Sequence, residues 1–143
     1  MKRTLLISSL TLVAVALAGQ SANAQDTLQK AGTVARAPSF TSLLSSMEAT
    51  PTATDKVKQR TTVTVADIRV VDANSVIGPN QGLAVITAFD KHKDAINALR
   101  SAVGANPAYT AALAAHQAKP TANNVIAVDI LADGDVLVYF RKP

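Results

Sequence analysis

Apolar and polar positions are patterned most sharply near the C-terminus. Residues 125–140 read V-I-A-V-D-I-L-A-D-G-D-V-L-V-Y-F, two β-rich runs around Asp133-Gly134. With a two-residue loop, Ile130 opposes Leu137 and Val128 opposes Tyr139, and the apolar side chains divide between both faces. With a three-residue loop at 132–134, Ile130 opposes Val136, Val128 opposes Val138 and Ile126 opposes Phe140. All six then share one face, because side chains alternate along a strand. The pattern predicts a β-hairpin closed by a type I turn, with Gly134 left-handed in a G1 bulge where the missing Cβ removes the steric cost. The other face carries Ala127, Asp129, Leu131, Asp135, Leu137, Tyr139 and Arg141, a mixed set.

Residues 81–103 carry a different period. Val85, Phe89, His92, Ile96, Leu99 and Val103 fall at alternating steps of four and three, one continuous helical stripe. Gly104 stands where a C′ glycine belongs. Asn106-Pro107 then restarts the chain as N-cap and first helical residue, and Tyr109, Ala112, Leu113 and His116 form a second stripe closed by Pro120. The short linker predicts an antiparallel helical hairpin.

Residues 61–72, T-T-V-T-V-A-D-I-R-V-V-D, are β-branched and predict a strand. Apolar parity slips between Val65 and Ile68, so either a bulge lies near Ala66-Asp67 or only residues 68–72 pair. Upstream, Phe40, Leu43, Leu44 and Met47 follow helical spacing after Ser39, a suitable N-cap, and predict a short helix near 40–49. It packs on the domain as a third helix or docks on a partner.

The order strand, helix, helix, strand, strand predicts a small two-layer α+β domain over 61–143, β-α-α-β-β. Its sheet is antiparallel, with the C-terminal hairpin, and the helical hairpin covers one face. Residues 25–60, rich in Ala, Ser, Thr and charge, read as a flexible N-terminal arm holding the 40–49 helix.

Residues 1–24 have the form of a secretory signal peptide. Lys2 and Arg3 precede a 14-residue apolar run at 5–18, and Ala22-Asn23-Ala24 is a small-x-small cleavage site. The run is shorter than the roughly 20 residues a bilayer requires. Export to the periplasm or the medium, with cleavage after Ala24, is the expectation, and no later run is apolar enough to span.

Removing that segment leaves 12 basic and 10 acidic residues, and residues 61–143 carry seven of each. A balanced domain with few aromatics lacks the clustered basic face that nucleic-acid binding needs. The chain has no cysteine, which removes disulfides, thiolate zinc sites and thiol catalysis.

Candidate chemistry is sparse. His92 and His116 fall on the stripes of helices expected to face each other, and a buried pair is a place for a small ligand or a metal. Zinc needs further ligands, so the expectation is no metal and no cofactor. Asp129, Asp133 and Asp135 surround the hairpin turn, but turn chemistry accounts for Asp133-Gly134 without calcium. Lys56, Lys58 and Arg60 end the arm as a solvated basic trio. No G-x-S-x-G, S-x-x-K, H-E-x-x-H or phosphate-loop pattern occurs. These readings predict a non-enzymatic interaction or structural module of the cell envelope, binding an envelope protein or a second copy of itself. Its contact surface is the second sheet face, Leu131, Leu137 and Tyr139, unless the 40–49 helix covers it. The alternative is a periplasmic ligand or metal binder using His92 and His116.

Overall fold

The computed structural model describes residues 37–142 and, as backbone, four residues near the N-terminus. The expected signal peptide, 1–24, and the start of the expected arm lie outside the described residues. The chain divides into two compact units, Met1–Val34 and Ala35–Pro143. In the first, β1 (Gln29–Lys30) pairs antiparallel with β2 (Thr33–Val34). The second holds α1 (Phe40–Glu48), α2 (Thr50–Gln59), β3 (Ile68–Asp72), α3 (Gly82–Lys91), α4 (Lys93–Ala105), α5 (Pro107–Ala115), β4 (Val125–Ile130) and β5 (Val136–Phe140). Among the described residues it is a mixed α+β fold with five α-helices and a three-stranded sheet.

The hairpin loop is the three-residue form. Ile130 pairs with Val136 and Val128 with Val138. The Leu131 amide donates to the Asp135 carbonyl at 2.8 Å, and the Gly134 amide donates to the Leu131 carbonyl at 3.0 Å. Gly134 has φ +96°, a conformation in which a Cβ is strained. One expected pair fails. A register shift between Val125 and Ala127 places Val125 opposite Phe140, and Ile126 turns to the other face.

Strand order corrects the expected topology. β5 lies between β3 and β4, antiparallel to β4 but parallel to β3. The parallel β3–β5 pair overturns the expectation of an antiparallel sheet. Because β4 and β5 run antiparallel as a hairpin, the sheet with β5 at its centre is mixed. β3 itself begins at Ile68, because residues 65–67 form a 3-10 turn. The Asp67 carboxylate closes that turn by accepting from the Thr64 amide at 3.0 Å and the Thr64 hydroxyl at 2.7 Å.

Helices cover both faces of the sheet, not one. On the first face Ile68, Val128, Val136 and Val138 pack with Ala53 and Val57 of α2, Leu99 and Val103 of α4, and Tyr109 and Leu113 of α5. On the second, Ile126, Ala127, Leu137 and Tyr139 pack with Leu43 and Met47 of α1, Val85 of α3 and Ile96 of α4. The α4 stripe therefore serves both cores. The predicted 81–103 helix is two helices broken at His92 (φ −111°, ψ 17°), so three helices separate β3 from β4. Gly104 lies inside α4, which ends one residue later. The second helix starts as expected: Asn106 Oδ1 accepts from the Ala108 amide at 3.1 Å, and Pro107 follows it.

The arm expected over 25–60 gives way from Phe40 onward to two packed helices. Ser39 caps α1, its side chain accepting from the Ser42 amide at 3.1 Å. Pro51 has no N–H and crowds the carbonyl four residues back, which is Met47. That carbonyl is satisfied instead by the Thr50 hydroxyl at 2.6 Å, and α2 starts as a separate helix. Ser42, Ser46, Thr50 and Thr54 are buried. The hydroxyls of Ser46 and Thr54 each donate to the carbonyl four residues back, and the Thr50 hydroxyl is shared between the Met47 carbonyl and, at 3.2 Å, the Ser46 carbonyl, so a polar stripe is buried without orphaned groups.

Candidate functional site

The expected contact surface is not at the surface. Leu137 and Tyr139 are fully buried under α1 and α3, and Leu131 is half-buried against the same core. The α1 helix occupies the place that a partner was expected to fill.

The histidines sit in different settings. His92 caps the α3–α4 junction, half-buried, with Nε2 buried and lacking a hydrogen-bond partner. His116 caps α5, where its Nδ1 accepts from the Ala118 amide at 3.1 Å and its ring meets Phe140 edge-on at 5.1 Å. Among the described residues no three His, Asp or Glu side chains group as metal ligands. At the hairpin, Asp133 Oδ1 accepts from the Asp135 amide at 3.0 Å, so that carboxylate shapes the turn.

The basic trio also separates. Lys56 and Lys58 are exposed in the last turn of α2, but Arg60 reaches the hairpin, where Nη2 donates to the Gly134 carbonyl at 2.9 Å. Its backbone carbonyl accepts from Asn106 Nδ2 at 3.2 Å. Arg60 thus ties α2 to both the turn and α5. Burial pushes the nearby Tyr109 phenol above its ordinary pKa, and the Arg60 charge partly offsets that shift.

Two cavities merit comparison. The larger, 570 Å³, runs between α2 and α4 over Ala98, Ala102 and Ala105, with Lys58 as the one charged group among the described residues that line it. The smaller, 310 Å³, has more pointed chemistry. Its apolar wall is Val85 and Phe89 from α3 and Ile126 from β4, and Arg100, Arg141 and Lys142 line it with Asn123 and Asn124. Arg100 Nε donates to the Val125 carbonyl at 2.8 Å, and the guanidinium lies 5.4 Å from the Phe89 ring centroid. Burial lowers the Arg100 pKa from its usual value, but a guanidinium remains charged at neutral pH. The Arg141 amide donates to the Asn124 carbonyl at 2.9 Å, which fixes the C-terminal segment beside the cleft.

No protein-family model matches the chain, and comparison with curated proteins and with solved structures gives no match. The sequence reading passed over this cleft because its cations come from distant positions. One local signal was present: Arg100 lies four residues after Ile96 and directly after Leu99, at the margin of the stripe, where its side chain borders the core.

Exposed large aliphatic side chains lie at Val65, 44% exposed, and on the outer face of α3. Leu83 is 74% exposed and Ile86 45%, one turn apart. Among the described residues, no helix is long and apolar enough to cross a membrane.

Proposed function

We propose that this chain is an exported, non-enzymatic interaction module of the cell envelope that pairs with a second copy of itself through the outer face of α3. The observation that carries the reading is the exposure of Leu83 and Ile86 on a helix whose buried side includes Val85. Two large aliphatic side chains one turn apart are neighbours on a helix surface, and an antiparallel pairing sets each against the other's counterpart. The balance of seven basic and seven acidic residues over 61–143 leaves little repulsion between copies. The charged n-region, apolar run and Ala22-Asn23-Ala24 site support export. The patch is small, so the association is weak and transient.

Sedimentation equilibrium over a concentration series tests this. The expected result is reversible dimerisation, abolished by Leu83→Glu with Ile86→Glu, while the melting temperature at low concentration stays within the range of surface substitutions. A wild-type chain monomeric throughout, or a double variant that still dimerises, overturns it.

A further inference from the structure

We infer that the cleft between α3, β4 and the C-terminal segment is a binding site for a small amphiphilic organic anion, its charged head between Arg100 and Arg141 and its apolar body against Phe89. The site is independent of the α3 face that joins copies.

Three observations converge on it. The first is charge. Among the described residues, Arg100, Arg141 and Lys142 line the cleft and no acidic side chain does. Lys142 is partly neutralised by Asp72, Nζ to Oδ2 3.5 Å, whereas no acid pairs with Arg100 or Arg141 among the described residues. Although residues 61–143 balance seven basic against seven acidic residues overall, two arginines line this one cleft. Guanidinium is suited to carboxylate and phosphate, because its planar fork donates two parallel hydrogen bonds.

The second is preorganisation. Arg100 is held by Nε on the Val125 carbonyl and by its approach to the Phe89 ring. Nη1 makes only a long 3.4 Å contact to Asn97 Oδ1. The side chain is therefore already ordered, with its terminal nitrogens available, so less entropy is lost when a ligand binds. Its partial burial strengthens an ionic hydrogen bond there relative to one in water.

The third is shape. The 310 Å³ volume is at the small end of ligand pockets, about 300–1,000 Å³. Phe89, half-buried, is the apolar side chain the cleft leaves accessible, and Val85 and Ile126 behind it belong to the buried second core. A purely ionic site for inorganic phosphate has no use for such a wall; a short acyl or aromatic body does.

Octanoate is the probe. Titrated into the full chain and followed by amide chemical shifts, it should bind saturably and move Phe89, Arg100, Asn124 and Arg141. Octan-1-ol supplies the tail without charge and acetate the charge without a tail; both should bind at least about tenfold more weakly, as loss of a charged hydrogen bond or of buried methylenes implies. Arg141→Glu should weaken octanoate by at least about tenfold. Its side chain is exposed and its backbone bond to Asn124 survives substitution, so the fold is retained. Arg100→Gln gives the corresponding loss on the other side of the head. Octyl phosphate in place of octanoate decides the head: the tighter of the two names carboxylate or phosphate. The inference is overturned if neither octyl anion binds, if octan-1-ol or acetate binds as well as octanoate, or if Arg141→Glu leaves the affinity unchanged.

Discussion

Tyr139→Ala should lose about 3–5 kcal/mol of folding stability, and Leu137→Ala about 2–5, the range for emptying a fully buried large side chain. Both residues are fully buried on the central strand, in one core with Leu43, Met47, Val85 and Ile96. A small domain has only about 5–15 kcal/mol in total, so either change removes a large fraction of it. The cost arises because β5 is clamped between two strands and covered by helices, and the surroundings cannot collapse into the space left behind. A urea titration reads the effect as a lower midpoint at unchanged slope. A loss below about 1 kcal/mol accompanied by lost self-association contradicts the buried face and restores these side chains as a contact surface.

Met47→Ala should cost about 2–5 kcal/mol, as for any buried methionine. The magnitude matters because Met47 lies in the stretch that composition assigns to a flexible arm. If α1 were an appendage, trimming its apolar face would change the melting temperature very little, as surface substitutions do. Instead Met47 and Leu43 close the second sheet face and are fully buried. A thermal melt of the variant distinguishes the two: a drop of many degrees places α1 in the core, and an unmoved melt places it outside.

What was legible in the sequence was local. The three-residue hairpin loop, the Ser39 and Asn106 caps and the Phe40–Glu48 helix follow from side-chain alternation, capping chemistry and helical spacing. Each depends on neighbours within a few residues. Strand pairing does not, and the expected antiparallel sheet is overturned at the parallel β3–β5 pair. Yet V-L-V-Y-F at 136–140 is an uninterrupted apolar run, the mark of a strand covered on both faces. A strand covered on both faces also buries Leu137 and Tyr139, two residues of the expected contact surface.

The missed α2 has a different cause. Ser42, Ser46, Thr50 and Thr54 repeat every four residues, a helical period written in hydroxyls. Such side chains look solvated until their donors are traced to carbonyls one turn back. Pro51 does not oppose the helix, because proline is well placed in the first turn, where it stands. The break at His92 left no comparable mark, since the apolar stripe runs through it unchanged. The Arg100 cleft joins α3, β4 and the C-terminal residues, and no spacing rule connects segments that distant.

The central claim is that residues 40–59 are part of the folded domain and close both faces of its sheet. Native-state hydrogen exchange tests it most directly. The amides of Met47 in α1 and Val57 in α2 should exchange only through global unfolding, with the same opening free energy as those of Leu137 and Tyr139 in β5. Exchange of Met47 and Val57 at the rate of an open chain, while β5 stays protected, would contradict the claim and return those residues to a mobile arm.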